Sequence, residues 1–256
     1  MKIYQSKVLN NLAMFDKQRL NDKIVINPVS GGLMRGLTDM FLIWKTIEYF
    51  QPSKLLEIGS YAGQTLGLML ESAGPDSNIT SIDISFNKFK IFDHLFPDSQ
   101  VQRIQLDSLQ FHAVDTFDFM HIDGHHDYEH ALNDITKCLS MAHDDSIIVI
   151  DDYEKSNLGV GTAIETGILE QHDFVPFLLG DSNIFFHHCT HQSGDFLDRW
   201  IQERARNFIH FSNINFGKHL VLRPHFISQY TLTSTMPGIF QRNLDFLLEA
   251  TKFYDL

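Results

Sequence analysis

The 256-residue sequence predicts a doubly wound α/β fold: a mostly parallel, seven-stranded sheet with helices on both faces. Three observations carry that expectation. From Leu55 onward short apolar runs alternate with amphipathic stretches, the rhythm of strand–helix–strand units. Ile147–Ile150 is apolar without a break, as strands covered on both faces are. The chain is 43% hydrophobic and 20% charged, an ordinary globular balance, with no internal repeat and no degenerate segment. A chain of this size buries roughly 70–75% of its unfolded surface, enough for a core without staples.

The elements follow in order. Gly36–Phe50 has apolar residues at helical spacing and stops at Gln51-Pro52, where proline opposes continuation. Leu55–Ile58 reads as a strand, Thr65–Ser72 as a helix, Ile79–Ile84 as a strand and Asn87–Leu95 as a helix. Val101–Leu106 and Phe117–Ile122 are strands, His130–Met141 a helix, and Ser146–Ile150 a strand. Glu165–Gln171 reads as helical, and Phe174–Leu179 and Ile184–Cys189 as two closing strands. The expected organisation is an N-terminal segment, 1–35, a core domain, 36–190, and a C-terminal extension, 191–256. In the extension, Phe196–Phe208 and Phe240–Phe253 read as amphipathic helices separated by a Pro-, Asn- and Ser-bearing stretch. Their apolar stripes suit a lid, a packed cap or a homo-oligomer interface.

Charge and cysteine content exclude several function classes. Twenty basic against 32 acidic side chains give a formal charge of −12, which argues against phosphate-backbone or anionic-membrane partners. The two cysteines, Cys138 and Cys189, form no CxxC pair and suit small core positions in a reducing, cytoplasmic setting. No apolar run approaches the ~20 residues of a membrane span, and polar residues interrupt the N-terminus too often for a signal peptide.

Ligands of open parallel sheets bind beyond the carboxyl ends of the strands, so the residues there matter most. The first strand runs into Glu57-Ile58-Gly59-Ser60-Tyr61-Ala62-Gly63, a G-x-x-x-G spacing unlike the G-x-G-x-x-G of dinucleotide folds. Gly59 permits a sharp strand-to-helix turn, and Gly63 lets the helix start face a ligand. Asp83 ends the second strand, where a carboxylate can accept both hydroxyls of a ribose. Asp107 follows the third, placed with Ser108 to reach an adenine edge. A glycine pair or one strand-end acid alone is ordinary turn or cap chemistry. Three acids on successive strand ends select an adenosine ligand without a pyrophosphate.

The pattern acid-x-Gly-x-x-x-Gly, then a ribose acid and an adenine acid, resembles the class I S-adenosylmethionine-dependent methyltransferases over residues 36–190. The resemblance implies a Rossmann-like methyltransferase fold. It makes Glu57, Gly59, Ser60, Tyr61, Gly63, Asp83, Asp107 and Ser108 the cofactor-binding positions.

A second constellation lies in Ile122-Asp123-Gly124-His125-His126-Asp127-Tyr128-Glu129 and Ile150-Asp151-Asp152-Tyr153. If the two strands are neighbours, Asp123, Asp151 and Asp152 converge on one rim. Such carboxylates repel one another unless a hard cation such as Mg²⁺ neutralises them. A bound cation lowers the pKa of a substrate hydroxyl, and His126 is then the candidate general base. The first run resembles the I-D-G-x-H-x-Y-E signature of metal-dependent O-methyltransferases acting on sugars and other hydroxyls of natural products and antibiotics. The 28-residue separation of Asp123 and Asp151 (151 − 123) agrees with that family. The resemblance implies Asp123, Asp151 and Asp152 as metal ligands. It makes His126 the base, where catechol-type relatives carry lysine.

The histidines of this stretch also invite a zinc reading. The intervals His121–His125 and His126–His130 have the four-residue step of helical zinc ligands. His121 lies in a strand, however, and Gly124 interrupts any helix, so those pairs do not share one helical face. His121 reads as a core or sheet-surface residue, His125 as a loop residue lining the site, Asp118 as a strand-start residue and Asp127 as a helix cap. Tyr153 suits either the substrate pocket or packing, and Gly31–Gly36 a hinge or turn. The function expected is Mg²⁺-dependent O-methylation of a small-molecule hydroxyl. A nicotinamide-dependent enzyme and a methyltransferase-fold binding protein stand as alternatives.

Overall fold

The computed structural model describes residues 37–112, 115–153, 158–170, 173–188, 209–216 and 219–226. The first element is α1, Leu37–Phe50; Gln51 leaves it in a left-handed conformation (φ 48°) ahead of Pro52. There follow β1 (Lys54–Ile58), α2 (Gln64–Ser72), β2 (Asn78–Asp83), α3 (Lys90–Leu95) and β3 (Gln102–Gln105). A 3₁₀ turn spans Ser108–Gln110, then come β4 (Phe119–Ile122), α4 (Tyr128–Met141), β5 (Ile147–Ile150) and α5 (Leu158–Ile164). A π-helical turn, Glu165–Leu169, prolongs α5 before β6 (Phe174–Leu179) and β7 (Ile184–His188).

The sheet order is β3-β2-β1-β4-β5-β7-β6, continued by two further strands. β1 to β5 pair in parallel, and β7 runs antiparallel to both β5 and β6. The order reverses between β1 and β4, which places the switch point of the winding at the ends of those two strands. Register brings Ile58 opposite Ile122 and Ile122 opposite Ile150, so Gly59, Asp123 and Asp151 leave the sheet at one level.

Alternate strand residues feed two cores. Leu55, Ile79, Phe119, Ile147 and Val149 pack with Met40, Ile43 and Ile47 of α1, Leu66 and Met69 of α2, and Phe92 of α3. Their neighbours Leu56, Ile82, Met120, Ile148 and Ile150 face Ile135 and Cys138 of α4 and Val160 and Ile164 of α5. Both faces being buried is why the strands read as continuous apolar runs, each fully buried side chain contributing ~1.5–3 kcal/mol. Cys138 is a fully buried free thiol, and burial holds its pKa well above the ordinary value.

Two sequence expectations change. Helix α5 begins at Leu158, where two glycines in Leu158-Gly159-Val160-Gly161 mask the helical pattern. The extension, expected as two helices separated by a Pro-, Asn- and Ser-bearing stretch, contributes two strands from that stretch: β8, Ile209–Phe216, antiparallel to β9, His219–Phe226. Leu222 of β9 registers in parallel with Leu178 of β6, so the hairpin lengthens the sheet to nine strands. Its Asn and Ser residues suggest a linker locally, whereas pairing to the exposed edge of β6 makes it sheet. Helices expected at 196–208 and 240–253, the Gly31–Gly36 turn and Cys189 lie outside the described residues. No helix among the described residues is long and apolar enough to cross a membrane.

Candidate active site

The turn after β1 is built from left-handed residues: Gly59 (φ 85°), Tyr61 (φ 49°) and Gly63 (φ 82°), the last capping α2. Gly59 donates its N–H to Ile82 O at 2.8 Å, and a Cβ there would lie 2.0 Å from Asp123 O. That position therefore demands glycine twice, for its φ and for its contact with the β4 exit. Asp83 Oδ2 accepts the Tyr61 N–H at 2.8 Å, and Oδ1 accepts the Ser85 N–H at 2.9 Å. The buried Ser60 and Ser81 hydroxyls are hydrogen-bonded at 2.7 Å. Lys88 Nζ lies over the Tyr61 ring, 3.7 Å from its centre.

Asp107 caps the 3₁₀ turn, its Oδ1 accepting the Leu109 N–H at 2.9 Å. Asp83 registers with Gln105, so Asp83 and Asp107 stand on adjacent strand ends. Ser108 is held from α4: its carbonyl accepts from Lys137 Nζ, and its side chain faces Asp134. Burial pushes the Asp134 carboxyl above the ordinary range, against Ser108, Asn133 and Lys137, which pull it down. Glu57 lies inside the sheet. It sits in β1 opposite His121 of β4, 1% exposed, with Oε1 3.3 Å from His121 Nδ1. Its carboxylate is turned into the sheet against a fully buried imidazole.

At the β4 and β5 ends, the Asp123 N–H donates to Ile58 O at 2.8 Å and the Asp151 N–H to Ile122 O at 2.9 Å. Asp123, His126 and Asp152 bring one donor atom each within 4.8 Å of one another. His126 Nε2 is 2.9 Å from Asp152 Oδ2 and 4.0 Å from Asp123 Oδ1. Asp152 is 2% exposed and left-handed (φ 64°), a conformation a non-glycine residue holds only under constraint. Asp151 is not one of that group, and its Oδ1 accepts from Ser182 Oγ at 2.6 Å. A small pocket opens there, lined by Ile122, Asp123, Gly124, His126, Asp151 and Val160.

Sequence reasoning missed the supports of this rim. Asp39 in α1, fully buried, accepts the N–H groups of Asp181, Ser182 and Asn183 at 2.9 to 3.3 Å, and Ser182 Oγ lies 3.1 Å from its Oδ2. Its only sequence signal is an acid in a helix first turn next to a distant Gly-Asp-Ser-Asn turn. Gly159 lets α5 close on the loop, since a Cβ there would stand 2.3 Å from His126 O. Tyr153 packs edge-to-face on Phe216 of β8, ring centres 5.9 Å apart, so the extension reaches the rim.

The sequence matches the family described as "Methyltransferase domain" over residues 56–153, the span from β1 to the residue after Asp152. These residues form a methyltransferase domain. The span contains the glycine turn, Asp83, Asp107 and the whole Asp123/His126/Asp152 group, leaving α1 and the β6–β9 edge outside. Three solved structures share the fold. The SAH-bound methyltransferase of Podospora anserina is 15% identical, with a TM-score of 0.51 over 69% of this chain and 86% of that one. A caffeoyl-CoA O-methyltransferase, so described provisionally, from Staphylococcus aureus is 15% identical, with a TM-score of 0.51 over 70% and 99% of the two chains. An O-methyltransferase, again provisionally described, from Klebsiella pneumoniae is 14% identical, with a TM-score of 0.51 over 69% and 94%. A search of curated proteins by sequence finds no match to this chain.

Proposed function

We propose that this methyltransferase domain moves a methyl group from S-adenosylmethionine to a hydroxyl oxygen of a small molecule, with a divalent cation at the rim. The observation that carries the reading is the junction of two sites. The glycine turn that would receive the donor touches, through Gly59, the backbone of Asp123, which opens the carboxylate and histidine group.

The donor's adenosine suits the first site. Each Asp83 oxygen holds one backbone N–H and keeps a further lone pair for a ribose hydroxyl. Ile84 and Leu109, directly beyond Asp83 and near Asp107, are 72% and 41% exposed, apolar surfaces that a planar base would cover. The O-methyltransferase fold relatives and the SAH-bound Podospora enzyme support the same donor and the same class of acceptor atom.

The second site fits a divalent cation. Asp123 and Asp152 offer oxygen, His126 stands beside them, and Asp151 is the adjoining carboxylate that Ser182 now holds. When bound, Mg²⁺ or a similar cation offsets the carboxylate charge and makes an acceptor hydroxyl easier to ionise. His126 takes the hydroxyl proton on its imidazole, with Asp152 stabilising the resulting positive charge from 2.9 Å. The acceptor oxygen forms a bond to the methyl carbon as the carbon–sulfur bond breaks, releasing S-adenosylhomocysteine. Positioning of the two substrates supplies most of the acceleration. The acceptor we propose is a sugar or natural-product hydroxyl, from the Ile122–Glu129 signature.

The test is isothermal titration of S-adenosylmethionine, with and without Mg²⁺, into wild type, Asp83→Ala and Asp152→Asn. The expected result is donor binding in wild type that Asp83→Ala loses, and Mg²⁺ binding that Asp152→Asn loses with donor binding kept. Absence of donor heat in every condition overturns the reading, and heat from NAD instead returns the nicotinamide alternative. Once an acceptor is found, His126→Ala should lower turnover by about 10²–10⁴.

A further inference from the structure

A second group of ligand atoms lies one residue away on the same loop but points elsewhere. His125, Asp127 and His130 bring one donor atom each within 4.8 Å of one another, in a His-x-Asp-x-x-His order. Asp127 is fixed first. It caps α4, its Oδ1 accepting the His130 N–H at 3.0 Å, which leaves Oδ2 directed outward. Two imidazoles then converge on that one oxygen: His130 Nδ1 at 2.7 Å and His125 Nδ1 at 2.5 Å. Their rings lie 4.8 Å apart, tilted by 38°.

An ion pair accounts for one of these contacts, His130 Nδ1–H to Oδ2. The contact of His125 Nδ1 with the same oxygen is an ion pair of the same kind when that imidazole is protonated. The Asp127 backbone N–H also reaches His125 Nδ1, at 3.3 Å, so that nitrogen faces two groups of one residue. Unprotonated, the two imidazole nitrogens and the carboxylate oxygen are three ligand atoms within reach of one cation. The Asp127 carboxyl is held below its ordinary range, chiefly by the His130 N–H, with the two imidazoles adding to it.

We propose that His125, Asp127 and His130 form a metal site of their own, distinct from the Asp123/His126/Asp152 group, for a borderline divalent cation of the Zn²⁺, Ni²⁺ or Cu²⁺ kind. Two imidazoles and one carboxylate select such ions over Mg²⁺, which prefers oxygen. The side chains of His125, Asp127 and His130 are 70%, 43% and 31% exposed, leaving an open side for water in the remaining coordination positions. The donors come from six consecutive residues, so the site needs only the loop and the first turn of α4. It does not depend on methyl transfer.

The experiment titrates Zn²⁺ calorimetrically into metal-free full-length protein in excess Mg²⁺, for wild type, His125→Ala, His130→Ala and Asp152→Asn. Asp127 is left in place as the cap, and circular dichroism confirms folding. One equivalent of Zn²⁺ should bind in wild type and in Asp152→Asn. Each histidine substitution should weaken it by at least the roughly 10–100-fold that loss of a supporting partner costs. Imidazole NMR of wild type should show His125 and His130 shifting together on Zn²⁺ addition, a readout that needs no variant to fold. No Zn²⁺ equivalent, or one that survives both histidine substitutions or disappears only in Asp152→Asn, overturns the site.

Discussion

Asp134 is the residue whose chemistry is furthest from its appearance in the sequence. In Asn133-Asp134-Ile135 it looks like one more polar position on an amphipathic helix, yet it is fully buried against Gly124 and beside Ser108. Burial raises its pKa, so the folded state favours the neutral acid. For a carboxyl raised in the fold, stability is lost as pH climbs from the unfolded value of 3.8 towards the folded one. Asp134→Asn keeps the shape without the charge and should gain on wild type over that interval. Thermal unfolding of both proteins from about pH 4 to about pH 8 measures this, and a variant that falls behind with rising pH would show an ionised, required Asp134. Asp127 is the opposite case, legible at once, because an acid just before a helical run is a cap and capping is local.

At the scale of elements, strands were easy to read and their exits only partly so. Asp118 illustrates both: the sequence places it at a strand start, and the structure has it accept from Ser53 and Lys54 N–H and pair with His143. Burial pulls its carboxyl up, but those partners outweigh it and hold the pKa below the ordinary value. The β1–α2 turn tests how tightly two exits are joined. Gly59→Ala forces a left-handed alanine, about 1–2 kcal/mol, before Asp123 O is displaced as well. The urea midpoint should drop with an unchanged slope, and S-adenosylmethionine affinity should drop with it. A midpoint equal to wild type would mean that the loop relaxes freely and that the Gly59–Asp123 contact does not hold the rim. Helix α5 escaped detection because Gly159 and Gly161, poor helix formers, occupy its first turn, and Gly159 is there for a neighbour, the His126 carbonyl.

Over the whole molecule, the sheet order brings the ends of β1, β2, β4 and β5 to one edge, and the β8–β9 hairpin brings the extension to it. The Tyr153–Phe216 ring contact is the described link between extension and rim. A double-mutant cycle of Tyr153→Ala and Phe216→Ala should give a coupling of about 0.5–1.5 kcal/mol in unfolding free energy. Zero coupling would detach the hairpin from the site energetically. From sequence alone came the fold class, the seven core strands, the glycine turn, the strand-end acids and the candidate rim residues Asp123, His126, Asp151 and Asp152. Each rests on local marks: periodicity, a turn glycine or an acid after an apolar run. Only the tertiary structure decided where the side chains point. Glu57 faces His121, 64 positions away (121 − 57), and Asp151 is held by Ser182, which Asp39 anchors from 143 positions earlier (182 − 39). Such contacts leave no local pattern, because they arise when parallel pairing and helix packing bring distant segments into register.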